Sequence, residues 1–265
     1  MELRILGSSS AGNGYLLVAS DGEALLLEAG FPPIAVKRAI EYKVSDISAC
    51  LITHEHGDHS KYVSMLLDET AIPIYMSEGT REALETAQMG RKPRRRADVA
   101  KSGQMLNVGN FSVIPIECSV TVNGLKRLLH DAAEPMCYII DHPEAGRVLF
   151  ATDLYCLPST RFEGISHLLV ECNYDPQVLK ENFEHGRINR GRMERAYVSH
   201  MSVDTLCQQL MSMDLKSTKT IVLLHGSADN GNPEGFVRKV TRTAGITPIV
   251  ARGGLTVRLG IKSPF

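Results

Sequence analysis

The sequence predicts a layered domain of the α/β or α+β class. Segments that resemble strands and helices alternate along its 265 residues, and no low-complexity linker or short repeat separates them. With 43% apolar residues the chain can bury a large core, so we expect a single domain spanning residues 1–265. A formal net charge of −1 argues against a surface that is basic everywhere, and a polyanion would have to meet a local basic patch.

In the first half of the chain, apolar runs bounded by turn residues predict strands, and helical spacing predicts the segments between them. The Asp21-Gly22 pair predicts a hairpin turn, and Pro33 suits the first turn of a helix. The predicted strands are 3–6, 15–19, 24–28, 47–53 and 72–76, and the predicted helices are 33–42, 60–68 and 78–88.

The second half alternates in the same way. A hairpin over 105–116 turns near Gly109, and Ser202 is a suitable N-cap for a helix. The predicted strands are 137–141, 148–152, 167–170, 220–224 and two near Pro248 and Leu255, and the predicted helices are 203–214 and 233–242.

The cysteines and the N-terminal residues bear on the cellular compartment. The six cysteines contain no CxxC pair, so we interpret them as reduced thiols in the core. The opening MELRILGSSS lacks a basic flank followed by a long apolar run, and no stretch approaches the ~20 apolar residues of a membrane span. We therefore expect a cytoplasmic protein with no membrane partner.

Residues 53–59 read THEHGDH and place His54, His56, Asp58 and His59 directly after a predicted buried strand. Imidazole nitrogens and carboxylate oxygens are ligands for Zn²⁺ and similar ions. Side chains at the end of a strand can converge where open sheets place their sites. The stretch is therefore a candidate metal site, and the alternative is a polar turn that happens to be rich in histidine.

Further ligands are needed if two ions are bound. His130, Asp153 and His225 each stand where an apolar run gives way to a loop. A single histidine in such a position is more often a hydrogen-bonded structural residue. Three such residues together with the 53–59 cluster favour a metal centre.

With these motifs in this order, the chain resembles the metallo-β-lactamase fold superfamily over essentially its whole length. The resemblance implies an α+β fold, a four-layer αββα sandwich, and a site for two divalent metal ions (Zn or Mn). By position it implies that one ion is bound by His54, His56 and His130, the other by Asp58, His59 and His225, and that Asp153 bridges the two. β-Lactamases of this fold lack the bridging aspartate and are exported, so the resemblance argues against antibiotic hydrolysis.

Other motifs resemble the YycJ-like (WalJ) branch of nucleases and phosphodiesterases. They are GSSSAGNGYLL, LLLEAG, HDAAEP followed by Tyr138, SHMS and LLHGSADNGNPE. The chain departs from the branch at Glu28, where an aspartate is usual, at Ser199, where a glycine is usual, and at Tyr174, where a histidine is expected. We interpret Glu28 as a structural group behind the ligands.

The resemblance implies a dinuclear phosphodiesterase that cleaves DNA or RNA, possible modes including exonuclease action. Cleavage would proceed by attack of metal-bound hydroxide on phosphorus. Asp58 would orient the attacking water or accept its proton. His200 would stabilise the reacting phosphate, as a histidine does in the similar ribonuclease Z, or it would only tie its helix to a neighbour.

Two basic runs are candidates for binding the substrate. One is Gly90–Arg96, and the other is Arg187, Arg190, Arg192 and Arg195, which leads toward His200. Either could contact a phosphate backbone, and either could be a solvated surface. The alternatives to a nuclease are a phosphodiesterase of small or cyclic nucleotides and a non-catalytic nucleic-acid-binding module. Homodimers are common on this scaffold, and the oligomeric state stays open.

Overall fold

The computed structural model describes residues 1–87 and 97–261, which form two compact units. The first unit draws on Met1–Glu117, Ala132–Gly146 and Arg252–Phe265, and the second on Cys118–Asp131 and Arg147–Ala251. The single domain that we expect stays a prediction. The basic run Gly90–Arg96 lies outside the described residues.

The described residues contain strands and helices in alternation. The strands are β1 (Glu2–Ser9), β2 (Gly12–Val18), β3 (Ala24–Leu27), β4 (Ile47–Leu51), β5 (Ile74–Met76), β6 (Asp98–Val99), β7 (Leu106–Val108), β8 (Phe111–Glu117), β9 (Ser119–Val122), β10 (Leu125–Leu128), β11 (Met136–His142), β12 (Gly146–Ala151), β13 (Ile165–Glu171), β14 (Thr220–Leu224), β15 (Ile249–Val250) and β16 (Thr256–Arg258). The helices are α1 (Pro33–Ala39), α2 (Gly57–Ser60), α3 (Val63–Glu69), α4 (Glu78–Ala87), α5 (Pro176–Glu184), α6 (Arg190–Ser199), α7 (Val203–Ser212) and α8 (Pro233–Ala244).

The first unit is built on a mixed sheet in the order β16-β1-β2-β3-β4-β5-β6. Its pairs from β16 to β3 are antiparallel and its pairs from β3 to β6 are parallel. Strands β7, β8 and β11 of this unit form antiparallel pairs around β8. Apolar side chains of β2 and β3, such as Leu16 and Leu26, pack with Val36 of α1 and Leu66 of α3, which places the core between the sheet and these helices.

The second unit is built on the parallel strands β12, β13, β14 and β15. Every residue of β13 is buried, as expected for a parallel strand that is covered on both faces. Strands β9 and β10 form a separate hairpin in this unit. Because parallel strands end at one edge of their sheet, the residues that follow β12, β13 and β14 are brought together.

The elements agree with the sequence-based expectations in type more often than in length. The helix expected over 33–42 ends at Ala39, and Glu41 and Tyr42 have positive φ values of 52° and 63°. The helix expected over 60–68 is divided into α2 and α3 at Lys61 and Tyr62. Helices α5 and α6 and the β9–β10 hairpin are absent from the sequence-based expectations.

Each missed element carries a local signal. Asp175 caps α5 and Pro176 opens it, Asn189 caps α6, and the Asn123-Gly124 pair is a strong hairpin signal. The six cysteines are free; four are buried as predicted, whereas Cys156 and Cys207 are half-buried. No helix in the described part of the chain is long and apolar enough to cross a membrane.

Tyr138 of β11 ties the first unit together next to β4. Its ring is fully buried, and its hydroxyl donates a hydrogen bond to the Ile52 carbonyl at 2.6 Å. We expect Tyr138→Phe to lower the free energy of unfolding by about 1–3 kcal/mol, because the buried carbonyl loses this donor. Chemical denaturation measures the change, with Tyr75→Phe at a partly exposed position as the control. An equal loss in both variants would contradict the expected role of this bond.

Candidate metal centre

The loop Thr53–His59, here called the histidine loop, follows β4 and brings its imidazole rings together. His54 and His59 are buried, and His56 is half-buried. The ring centroids of His54 and His56 are 4.7 Å apart, and those of His54 and His59 are 4.3 Å apart. Helix α2 begins inside the loop at Gly57, and this turn brings His59 back toward His54. The structure therefore gathers the ligand types that the sequence places in this loop.

Backbone and side-chain hydrogen bonds hold the histidine loop in this shape. The Ser60 hydroxyl donates to the Glu55 carbonyl at 2.6 Å and to the His56 carbonyl at 3.0 Å. The Glu55 carboxylate accepts from the Ala133 amide at 2.7 Å, and the Thr53 carbonyl accepts from the Met136 amide at 2.9 Å. The HDAAEP segment thus anchors the loop through Ala133, which gives that motif a structural purpose.

Asn13, in the GSSSAGN motif, contacts two candidate ligands. Its Nδ2 donates to Asp58 Oδ2 at 3.1 Å and lies 3.0 Å from His59 Nε2. The Tyr15 hydroxyl donates to Asn13 Oδ1 at 3.1 Å, which sets the orientation of the amide. Asn13 was not among the residues that the sequence singled out, although its motif was.

Glu28 lies behind the histidine loop, as the sequence analysis expected. Its carboxylate accepts from the Thr53 hydroxyl at 2.6 Å, and its Oε1 lies 3.4 Å from His59 Nδ1. Glu28 has a positive φ of 67° directly after β3, a strained conformation that tends to occur at functional sites. Two residues later, a Cβ on Gly30 would lie 2.0 Å from the Asp58 carbonyl oxygen, so only glycine allows α2 to approach β3 this closely.

In the second unit, acidic and imidazole side chains meet at the carboxyl ends of the parallel strands. Asp153 follows β12, Glu171 ends β13, and His225 follows β14. Together with His200 they form what we call the strand-end cluster, whose four donor atoms lie within 4.8 Å of one another. Asp153 and His225 have positive φ values of 52° and 51°. Strained backbone at two candidate ligands indicates that their placement has a function beyond packing.

Hydrogen bonds fix the two candidate ligands of the strand-end cluster. His225 Nδ1 lies 3.0 Å from Asp153 Oδ1, and both side chains are buried. Asn173 Nδ2 donates to the His225 carbonyl at 2.7 Å and lies 3.2 Å from His225 Nδ1. This amide, which lies just after β13, holds the strained residue in place, and it too is absent from the sequence-based expectations.

Glu171 and His200 form a hydrogen-bonded pair. Glu171 is fully buried, and its Oε1 lies 2.8 Å from His200 Nδ1, while its other oxygen accepts from the Leu154 amide at 2.7 Å. Burial lowers the pKa of His200, but the charge and hydrogen bond of Glu171, with help from Asp153, outweigh it and raise the pKa above its ordinary value. The pair is therefore suited to hold a proton on His200.

His130 lies beside this pair within the second unit. Its Nδ1 bonds to the Ser199 carbonyl at 2.9 Å, and its ring centroid is 5.9 Å from that of His200. A carbonyl oxygen only accepts hydrogen bonds, so Nδ1 donates this bond, and Nε2 is the ring nitrogen that a metal would use. This arrangement is typical of a metal-binding histidine.

The arginines that the sequence proposes for substrate binding are all exposed, and three are paired with carboxylates. The pairs are Arg190 with Glu194, Arg192 with Asp229 and Arg195 with Asp131. Arg187 donates to Asn182 Oδ1 at 3.0 Å. The partner of Arg195, Asp131, directly follows the candidate ligand His130. Exposed pairs of this kind are weak, and a phosphate can displace the carboxylate.

The structure thus assembles the predicted residues in two groups. His54, His56, Asp58 and His59 lie together in the first unit, and His130, Asp153, His200 and His225 lie together in the second. The principal residue missed is Glu171. Its signal was present, since a carboxylate that closes an apolar run is the same pattern that identified Asp153.

The donor chemistry of both groups suits divalent metal ions. The histidine loop supplies three imidazoles and a carboxylate, and the second group supplies further imidazoles and a carboxylate, of which Asp153 and His225 stand at strained, buried positions. Mixed imidazole and carboxylate ligands accept Zn²⁺ and Mn²⁺. Packing so many titratable groups together without a cation would be costly, so the residues present fit the metal that the resemblance implies.

Comparison with known proteins agrees with this chemistry. The chain is 28% identical over 241 residues to the exodeoxyribonuclease YycJ of Bacillus anthracis, covering 88% of this chain and 85% of the relative. It is 26% identical over 238 residues to the exodeoxyribonuclease WalJ of Streptococcus pneumoniae, covering 87% of this chain and 83% of that one. The crystal structure of Zn²⁺-bound PqqB from Methylobacterium extorquens superposes with a TM-score of 0.69 at 16% identity, over 98% of this chain and all of the other.

The solved structures confirm the metallo-β-lactamase fold that the sequence analysis expected. The family model described as "Beta-lactamase superfamily domain" matches residues 25–230, most of the chain. The histidine loop, His130, Asp153 and His225 all lie within that match. The chain therefore belongs to the beta-lactamase superfamily.

Proposed function

We propose that this protein is a metal-dependent phosphodiesterase that cleaves nucleic acid, with DNA as the first substrate to test and removal of nucleotides from an end as the mode. The observation that carries the proposal is the hydrogen-bonded Glu171–His200 pair beside Asp153 and His225, because it can supply a proton next to candidate metal ligands. The similarity to two exodeoxyribonucleases supports nucleic acid as the substrate.

We infer the ligands from the family resemblance and from the donor groups of each unit. His54, His56 and His130 would hold one ion, and Asp58, His59 and His225 the other. Asp153 would contribute its carboxylate to the same centre. When bound, the ions would lower the pKa of a water molecule and stabilise the charge that develops on the phosphate.

The protein's own residues would perform the remaining steps. Asp58, held by Asn13, would orient the attacking water or accept its proton. His200, held by Glu171, would donate a hydrogen bond to a phosphoryl oxygen or a proton to the leaving alkoxide. Arg195, and with it Arg187, Arg190 and Arg192, would contact phosphates of the substrate after leaving their present partners.

One observation favours a second candidate, a phosphodiesterase of small or cyclic nucleotides. Arg190, Arg192 and Arg195 already face carboxylates, so this surface is less basic than its sequence indicates. A small substrate would need the metal centre and His200 but little of this surface.

A turnover panel tests the proposal. The purified protein, supplied with Mn²⁺ or Zn²⁺, is incubated with end-labelled single- and double-stranded DNA, RNA and cyclic nucleotides, beside His56→Ala as the control. Stepwise shortening of DNA that His56→Ala abolishes is the expected result. Turnover of cyclic nucleotides alone would favour the second candidate, and no turnover with metal bound would leave a non-catalytic nucleic-acid-binding module as the better description.

The metal content provides an independent check. Elemental analysis of the protein is expected to find two equivalents of metal in the wild type and fewer in His56→Ala. Cytoplasmic location, the choice between Zn²⁺ and Mn²⁺ and a homodimeric state stay predictions.

A further inference from the structure

The β9–β10 hairpin is a separate feature of the second unit. Its pairs run from Leu125 opposite Val122 to Leu128 opposite Ser119. Asn123 and Gly124 connect the strands with φ values of 52° and 76°, as in a type I′ turn. A two-stranded ribbon has little core of its own, so its sequence is free to serve a surface role.

One face of this hairpin combines apolar and cationic side chains. Residues opposite each other share a face, which places Val120, Val122, Leu125 and Arg127 on the same side. Leu125 is 66% exposed and Val122 is 40% exposed, next to the turn. Arg127 is exposed as well, and Lys126, which pairs with Thr121, is exposed on the opposite face. Apolar groups held at an exposed tip beside cations are typical of a surface that meets a partner.

The charge of the segment differs from that of the whole chain. Residues 118–130 contain Lys126 and Arg127 and neither aspartate nor glutamate, whereas the chain has slightly more acidic than basic residues. Unlike the arginines of α6, Arg127 has no ion pair with any carboxylate in the described part of the chain. Its charge is therefore available to an anionic partner.

The base of the hairpin leads directly to the candidate metal centre. His130 comes two residues after the end of β10, and the Leu129 carbonyl accepts from the Tyr155 amide at 3.1 Å, two residues after Asp153. Arg127 and Tyr155 therefore stand within a few residues of the candidate ligands His130 and Asp153. In an extended strand, Leu125 lies roughly 17 Å from His130, a distance that a few nucleotides can span.

We propose that the β9–β10 hairpin is an arm that binds single-stranded nucleic acid and guides it to the metal centre. Arg127 and, from the opposite face, Lys126 hold backbone phosphates, and Val122 and Leu125 contact unstacked bases. Single strands fit better than duplexes because aliphatic side chains at the tip need base faces that stacking does not cover. The inference rests on the proposed function for its substrate, but the binding that it describes can be measured without turnover.

The test measures binding of a fluorescein-labelled oligothymidylate of about 12 nucleotides, a length typical of single-strand sites. The oligonucleotide carries phosphorothioate linkages, which resist hydrolysis, and the affinity of the metal-loaded protein is followed between about 50 and 300 mM salt. Three double variants are compared: Lys126→Gln with Arg127→Gln, Val122→Thr with Leu125→Thr, and the control Lys180→Gln with Arg238→Gln. The control removes two exposed, ion-paired cations of the same unit that lie on α5 and α8.

The charge variant is expected to lower the slope of log K against log salt by about 1.4, because each lost phosphate contact on a single strand contributes about 0.7. The apolar variant is expected to weaken binding about tenfold, within the range of lost base contacts, and to leave the slope alone. The control is expected to match the wild type. The proposal would be overturned if both arm variants bound the oligonucleotide with the same affinity and the same salt slope as the control.

Two further measurements distinguish nucleic-acid binding by the arm from the proposed catalytic function and from self-association through the hairpin. The ratio of kcat/KM for the oligonucleotide to that for bis(4-nitrophenyl) phosphate is expected to fall about tenfold in the arm variants. No turnover of either substrate, with the binding differences intact, would overturn the proposed function and leave the arm. Sedimentation tests whether the hairpin instead contacts a second copy of the chain. If Val122→Thr with Leu125→Thr dissociates a dimer and leaves oligonucleotide binding unchanged, the proposal is wrong.

Discussion

Asp58→Asn is expected to lower kcat/KM for phosphodiester cleavage by about three orders of magnitude, within the range for loss of a general base. The amide has nearly the same shape as the carboxylate, but it accepts no proton and is a poor ligand for a cation. The remaining oxygen of the amide can still accept from Asn13 Nδ2, which lies 3.1 Å from Asp58 Oδ2, so this support is retained. Because the Asp58 side chain is 20% exposed, the substitution should disturb the fold little.

The measurement combines steady-state kinetics, metal content and the thermal midpoint of unfolding. Asp214→Asn is the matched control, since Asp214 is exposed and only caps the backbone at Lys216. A variant at Asp58 that keeps its metal and its turnover would rule out the proposed role of this carboxylate. One that loses metal as well as turnover would assign Asp58 chiefly to binding the ion.

Glu171→Gln is expected to lower kcat about a hundredfold while KM changes little. The amide oxygen of glutamine can still accept from the Leu154 amide, which Glu171 contacts at 2.7 Å, so the local fold is retained. What is lost is the negative charge beside His200, at a separation of 2.8 Å, and with it the preference of His200 for the protonated form. Glu171 acts through His200, so it is a positioning residue.

A double-mutant cycle tests this assignment. His200→Gln alone should cost about as much in kcat as Glu171→Gln, and the double variant should cost no more than either, because the two residues act as a unit. Glu181→Gln, at an exposed position on α5, is the control. Additive losses in the cycle would mean that Glu171 stabilises the fold and has no specific connection to His200.

The fold was predictable where local patterns are strong. Strand β14 has the bounds expected from its apolar run, and the Asp21-Gly22 turn joins the antiparallel pair β2 and β3 as expected. Ends of helices were less predictable. The ordinary residues Glu41 and Tyr42 adopt positive φ after α1, and nothing in their side chains announces this conformation. The β9–β10 hairpin had its Asn-Gly signal and was missed because its strands are short and exposed.

The site was predictable in its chemistry. Imidazoles and carboxylates stand out in a sequence because few reasons other than ligation place them at the ends of buried strands. That pattern, with the family resemblance, identified His54, His56, Asp58, His59, His130, Asp153 and His225 as candidates. The structure groups them within each unit, and their assignment as ligands stays a prediction.

The sequence by itself therefore determined which chemical groups are available and at which strand ends they stand, because those features depend on neighbouring residues. Only the tertiary structure decided which other side chains hold these candidate site residues in position. Asn13 meets Asp58 across 45 residues of sequence, and Glu171 meets His200 across 29. A buried polar group must find a partner wherever the fold brings one within hydrogen-bonding distance, and that distance is set by packed strands and helices rather than by local sequence.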